Sequence, residues 1–306
     1  MPIQTSIPAA SSTSVGLLDP GLRIAEQPQE SAVPGYVVPI DRASDLERFQ
    51  GVTKDLFGHE IPDLSIVIPM FRESDRINRT IATLAASTLN RQGVRFLFVD
   101  DGSRDGTSIV TFEAIRTHGL IDATVLCLPD NSGKGAAVRA GFANVKGRYI
   151  AFLDADLSLD PVDVSRAFAR LQFSGGDIMI GERLTDERHQ PKFRKLASSA
   201  FRAMATSIVD TGVTDPQCAM KIFRGSVGKA LFAELTTDGY SFDVEILGRA
   251  SAAGLRVEQT NVEWEHCDGS RVNPVSDGFR MIFELRRIRR VLRREARVAR
   301  RATAGR

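Results

Sequence analysis

The stretch Val94-Arg95-Phe96-Leu97-Phe98-Val99-Asp100-Asp101-Gly102-Ser103-Arg104-Asp105-Gly106-Thr107 runs from an apolar segment of strand length into a turn of acids and glycines. Carboxylates at the exit of a buried strand, followed by glycines that let backbone approach a ligand, suit hydrogen bonding to a base or sugar. A solvated turn with Asp105 capping the next helix is the plain alternative. Repetition of the pattern decides the fold. Upstream, the β-branched run Ser65-Ile66-Val67-Ile68 stops at Pro69, as a buried strand before a functional loop does. A helix follows it, with Ile77, Ile81 and Leu84 on one face.

Downstream, strands are expected at Thr124–Leu128 and Tyr149–Leu153, and helices near Ser108–Arg116, Ala136–Asn144 and Val162–Leu171. Strands alternating with helices imply right-handed βαβ units, and so an α/β fold with a mostly parallel sheet flanked by helices and a Rossmann-like first half. In such sheets ligands bind at the carboxyl ends of the strands. Beyond Ile180 the pattern loosens, with helices expected over 195–208 and Phe242–Ala253, a strand over Val257–Trp264 and a long helix from Asp277.

Two further polar stretches fall at strand exits. Asp154-Ala155-Asp156 follows Tyr149–Leu153, and two carboxylates two residues apart there can share one hard divalent cation that in turn holds a diphosphate. The bare triplet arises by chance in a chain this rich in Asp, so its position carries the argument. Asn131-Ser132-Gly133-Lys134-Gly135 precedes a helix, where amides and the Lys134 ammonium favour an anion or a polar nucleotide edge. It lacks the spacing of a Walker A loop.

Taken in order, Ile66-Val67-Ile68-Pro69 with Glu73, Asp100-Asp101-Gly102-Ser103 with Asp105-Gly106-Thr107, Gly133-Lys134-Gly135 and Asp154-Ala155-Asp156 resemble glycosyltransferase family 2, which has the GT-A fold. The likeness runs from Leu64 to Ile288 and is nearest to the polyprenyl-phosphate branch, the dolichyl-phosphate glucosyltransferases and mannosyltransferases. Gly181-Glu182-Arg183, Asp215-Pro216-Gln217-Cys218-Ala219-Met220-Lys221, Ser241-Phe242-Asp243-Val244-Glu245 and Gly269-Ser270-Arg271-Val272-Asn273-Pro274 look like that branch's later motifs. The resemblance implies nucleotide-sugar contacts at Pro69, Glu73, Asp100, Asp101, Lys134, Asp154 and Arg183. It implies Mg²⁺ or Mn²⁺ at Asp154 and Asp156, an acceptor phosphate near Lys221 and Arg271, and chemistry at Asp156, Asp243, Asp215 and Arg271. Asp243 and Glu245 would face the transferred sugar, and inversion at the anomeric carbon is implied. Ala219-Met220 and Glu182 depart from the branch's Gly-Phe and Ser, all on the acceptor side.

The expected reaction is therefore metal-dependent transfer of a hexose, glucose from UDP-glucose in preference to mannose from GDP-mannose, to a polyprenyl phosphate. Such an acceptor is ionised near neutral pH and needs positioning, whereas a soluble hydroxyl acceptor, the alternative, would need a base such as Asp215, Asp243 or His266. A non-catalytic nucleotide-sugar-binding protein is the third reading.

The 306 residues carry 40 Lys plus Arg against 38 Asp plus Glu, yet Arg280–Arg306 alone holds 11 Arg and 2 Glu, leaving a body with a charge of −7. Three segments are expected: a mostly disordered tail over 1–60, a GT-A domain over 61–278, and a basic amphipathic helix over 279–306. That helix would place Met281, Leu285, Ile288 and Leu292 on one stripe, ringed by arginines. It would lie on an anionic membrane surface or pack on the domain. No membrane span or leader is evident, so a cytoplasmic address, peripheral on the inner membrane face, is expected. Nucleic acid is not expected as a partner of so acidic a body. Cys127, Cys218 and Cys267 imply neither disulfide nor zinc site, with Cys218 packing in the interior. The four histidines lack metal-ligand spacing.

Overall fold

Strands β2 (Leu64–Met70) and β3 (Val94–Asp100) lie at the centre, and nearly every side chain in them is buried. Continuous apolar runs of this kind belong to parallel strands covered on both faces, where alternation with polar residues would strand charges in the interior. In the computed structural model, residues 24–25, 61–184, 208–264 and 276–304 are described. They form one eight-stranded sheet in the order β1-β4-β3-β2-β5-β7-β6-β8. The other strands are β1 (Ile24–Ala25), β4 (Ala123–Cys127), β5 (Tyr149–Phe152), β6 (Ile178–Leu184), β7 (Lys221–Arg224) and β8 (Val257–Glu263). Seven described helices accompany them: α1 (Ile77–Ala86), α2 (Thr107–His118), α3 (Lys134–Asn144), α4 (Pro161–Ser174), α5 (Gly225–Ala233), α6 (Phe242–Ala252) and α7 (Ser276–Ala304).

β3 and β4 build outward from one side of β2, then α3 carries the chain back so that β5 pairs on β2's other side, Leu64 opposite both Val94 and Tyr149. This reversal opens a crevice at the carboxyl ends of β2 and β5, the place where doubly wound sheets bind ligands. The close fit of α3 on the sheet explains two of its residues. A Cβ at Gly141 would collide with Val67 and press on Val99. Phe142 stacks on Phe232 with ring centroids 3.8 Å apart and meets Phe223 edge-on at 5.6 Å.

The four βα alternations from β2 to α4 follow the expected order. The later half differs. No element was expected over 178–184 or 221–233, yet β6, β7 and α5 lie there, and β7 runs antiparallel to both β5 and β6. A four-residue strand is too short to show a period, and Gly225 and Gly228 dilute the helical signal of α5. Ile24–Ala25, inside the segment expected to be a tail, pairs with Val125–Leu126; the rest of 1–60 lies outside the described residues. So do His266, Cys267, Arg271, the 269–274 motif and the 195–208 helix up to Ile208.

Helix α7 begins at Ser276 and runs 29 residues. Its Leu285 and Ile288 are buried against Val209 and Val244, with Leu292 alongside. The inner stripe of the basic helix is thus part of the body, and its arginines at 286, 287, 289, 290, 293, 294 and 297 face solvent. Cys218 is buried, and burial pushes its thiol up to about 11, as suits an inert packing residue.

Phe142→Ala should cost about 3–5 kcal/mol, because it empties a stacked, fully buried position that three elements share. Urea unfolding of the purified chain checks this.

Candidate active site

The site is built from four strand-exit loops that hold one another. Asp101, at the end of β3, accepts hydrogen bonds from the Ser132 and Gly133 amides at 2.8 Å each and from Asn131 Nδ2 at 3.0 Å. Burial pushes its carboxyl up, and those amides pull it partly back. Gly102 is required beside it: its φ is +69° and a Cβ would strike the backbone of Asp130. The loop after β2 is pinned to the same turn, since the Arg72 amide donates to Ser103 Oγ and the Glu73 amide to Thr107 Oγ1, both at 2.8 Å. Arg72 takes a left-handed φ of 55° there, and Leu157, just past Asp156, takes 48°.

Lys134 leads α3 and reaches across the crevice to Asp154 at the end of β5, Nζ to Oδ1 2.6 Å. Burial alone would depress this ammonium, but Asp154 and Asp243 hold it above its ordinary value. Asp156 accepts from the Ser158 amide at 3.2 Å. Its carboxyl is pushed up by burial and by Asp154, with that amide, Lys134 and Arg76 opposing. Together these loops enclose a cavity of about 490 Å³, lined among others by Pro69, Glu73, Arg76, Asp101, Lys134, Asp154 and Asp156.

Pro69, Glu73, Asp101, Lys134, Asp154 and Asp156, singled out in the sequence, therefore meet at one cavity. Asp100 lies behind it, buried, accepting from the Ser103 amide at 3.0 Å. Arg183 and Asp215 form a two-pronged ion pair with contacts of 2.7 and 2.9 Å, the guanidinium lying over Trp264. Lys221 is fully buried, bound to Asp243 at 2.8 Å and to the Cys218 carbonyl at 2.6 Å. None of these four lines the cavity, and Lys221 is too enclosed to meet an acceptor phosphate as it stands. Glu245, expected to face the sugar, instead turns toward Thr236 and Thr237.

Several wall residues had no sequence signal. Arg76 chelates the Glu73 carboxylate from just before α1, and Tyr240, Met281 and Glu284 come from the far end of the chain. An i,i+3 acid–base pair ahead of a helix was the only available hint, at Glu73 and Arg76.

The residues fit a divalent cation of the Mg²⁺ or Mn²⁺ type. Asp154 and Asp156 offer hard oxygen ligands at one cavity wall, and burial, with the Asp154 charge beside it, has already pushed Asp156 upward. No group of three or more His, Cys, Asp or Glu that could hold a metal exists among the described residues. A cation here would draw its remaining ligands from substrate phosphates and water, as Mg²⁺ commonly does.

The sign of the Asp156 shift sets a test. A carboxyl raised in the fold costs stability above its folded value, and that cost vanishes as pH falls toward the unfolded value of 3.8. Asp156→Asn should therefore unfold at a higher temperature than the parent at neutral pH, with the gap closing on acidification. Thermal unfolding across pH checks it.

The family model of glycosyl transferase family 2 matches residues 65–232. The chain is 27% identical over 240 residues to the dolichyl-phosphate beta-glucosyltransferase of Dictyostelium discoideum, covering 74% of this chain and 73% of that one. It is 29% identical over 227 residues to the human protein of the same name, covering 69% and 70%. Among solved structures, mannosyl-3-phosphoglycerate synthase from Rubrobacter xylanophilus superposes with a TM-score of 0.58 at 20% identity, over 77% of this chain and 75% of that one. Glucosyl-3-phosphoglycerate synthase from Mycobacterium tuberculosis, in complex with Mn²⁺, UDP and glucosyl-3-phosphoglycerate, gives 0.55 at 20% identity, over 72% and 76%. The structural likenesses show the GT-A fold; with a family model spanning more than half its length, this glycosyltransferase belongs to glycosyl transferase family 2.

Proposed function

We propose that the protein transfers glucose from UDP-glucose to a polyprenyl phosphate of the dolichyl type, with inversion, at the cytoplasmic face of a membrane. The observation that carries this is the cavity at the β2–β5 crevice. There Asp154, Asp156 and Lys134 stand together, in a chain similar over more than two thirds of its length to dolichyl-phosphate beta-glucosyltransferases.

Each wall has a part. Pro69, Glu73 and Asp101 would hold the nucleoside against the strand ends, and Lys134 would face the diphosphate. Held by Asp154 and Asp156, Mg²⁺ or Mn²⁺ would neutralise charge that grows on the departing diphosphate. Lys134 keeps its proton in this acidic company, so it adds a permanent positive charge at the same place. A phosphate acceptor arrives ionised and calls for no base. That Asp215 and Asp243, two of the three candidate bases for a hydroxyl acceptor, are tied into ion pairs with Arg183 and Lys221 outside the cavity supports the phosphate reading.

Among the described residues no helix is long and apolar enough to cross a membrane. Access to a lipid acceptor would come through α7, whose exposed arginines flank Phe283, itself 66% exposed, while Met281 and Glu284 of the same helix line the cavity. A basic helix on an anionic leaflet gains roughly 1 kcal/mol per Arg near the surface.

Purified protein with Mg²⁺ or Mn²⁺ should release UDP from UDP-glucose only when a polyprenyl phosphate is present, and should yield a glucosylated lipid on extraction. Chelation of the metal should abolish release, and Asp156→Ala should lower turnover by about a hundredfold or more. No product with any polyprenyl phosphate, but turnover with a soluble hydroxyl, would sink the lipid reading. Replacing Arg290, Arg293, Arg294 and Arg297 by Gln should weaken binding to anionic vesicles by an amount approaching 4 kcal/mol at low salt, at about 1 kcal/mol each. Vesicle sedimentation checks it.

A further inference from the structure

Three charged residues outside the cavity form a continuous line from the basic helix to the 236–237 segment, which packs against the turn that carries Lys134. Glu295 of α7 receives Arg249 Nη1 of α6 at 3.0 and 3.2 Å. Arg249 also donates to Glu245 Oε1 through Nη2 at 2.9 Å and Nε at 3.0 Å. Glu245, with no exposed surface, accepts in addition from the Thr236 amide at 3.0 Å, from Thr236 Oγ1 at 3.1 Å and from Thr237 Oγ1 at 2.5 Å. That is a carboxylate with its lone pairs filled, clamping the 236–237 backbone.

The clamped segment bears directly on the donor loop. The Asp238 carbonyl accepts from the Gly135 amide at 2.7 Å and from the Ala136 amide at 3.3 Å. A Cβ at Gly133 would collide with the same carbonyl, and one at Gly135 with that of Thr237. Arg139 of α3 grips the segment from the other side, at Asp238 Oδ1 (2.7 Å) and at the Leu235 carbonyl (3.2 Å). Lys134 thus sits on a turn pressed into place by residues 235–238, and α7 holds those residues through Arg249 and Glu245.

We propose that Glu245, Arg249 and Glu295 are positioning residues for donor binding, so that the basic helix sets the affinity of the nucleotide half as well as meeting a surface. The proposal rests on the reading of the cavity as a UDP-sugar site. Glu295 is half-exposed and at the rim of the network, so its removal leaves Arg249 still paired with Glu245 and the fold intact.

The test is calorimetric titration of UDP with Mg²⁺ into the full chain, without lipid, which separates this effect from any change in membrane affinity. Glu295→Ala should weaken UDP binding by roughly three- to tenfold, the size of coupling carried by a packed network, with the unfolding temperature unchanged. Thr237→Val, which keeps volume and removes one hydroxyl, should weaken it in the same direction. The double variant should fall short of the product of the two single effects, because both act along one line. Parental affinity in Glu295→Ala, or a double variant equal to the product, overturns the positioning role. Absence of UDP binding in the unmodified chain sinks the reading of the cavity instead, and the positioning role with it.

Discussion

The contact from Lys134 to Asp154, 2.6 Å across the crevice, joins the loop after β4 to the end of β5 over the top of β2. As a partly exposed ion pair it adds little to stability. Its importance is geometric, because it spans the point where the sheet's winding reverses and so fixes the distance between the two halves of the site. Everything that seats α3 serves it: Gly141 lets the helix lie close on β2, Phe142 anchors its far end, and the Asp238 carbonyl fixes its first turn.

The cavity is held in electrostatic tension. Asp101 and Asp156 are both less acidic than ordinary carboxylates, first because they are buried. Amides relieve Asp101 internally, by forming the loop beside it. Relief of Asp156 by the Ser158 amide, Lys134 and Arg76 is only partial, which leaves it suited to a cation. Groups whose surroundings oppose their charge are characteristic of functional sites. The Arg183–Asp215 pair is the contrary case, since Asp215 more than offsets the burial of the guanidinium, whereas burial still pushes the Asp243 carboxyl up despite Lys221 beside it.

The first half was legible because each of its strands is a largely apolar run that ends abruptly at a polar loop. Ile66 to Pro69, Phe96 to Asp101 and Ile150 to Asp156 announce both the parallel sheet and the site at its edge. The second half was not legible in the same way. Lys221 and Asp243 read as accessible chemistry, yet they pair in the interior, a fact that depends on an antiparallel strand of four residues with no period to reveal it. Arg183 likewise looked available until the fold set Asp215 against it. Met281 and Glu284 could not be foreseen as cavity walls, since only the docking of α7 brings them near loops more than a hundred residues earlier.

That distance along the chain bears on synthesis. The loops ending at Asp156 emerge well before Glu284, and at 5–20 residues per second the interval is roughly 6 to 26 s. A nascent chain therefore presents these strand-exit loops with one wall of their cavity still unmade. The cavity is completed by α7, which also carries the exposed arginines, so a chain interrupted before Ser276 would lack both.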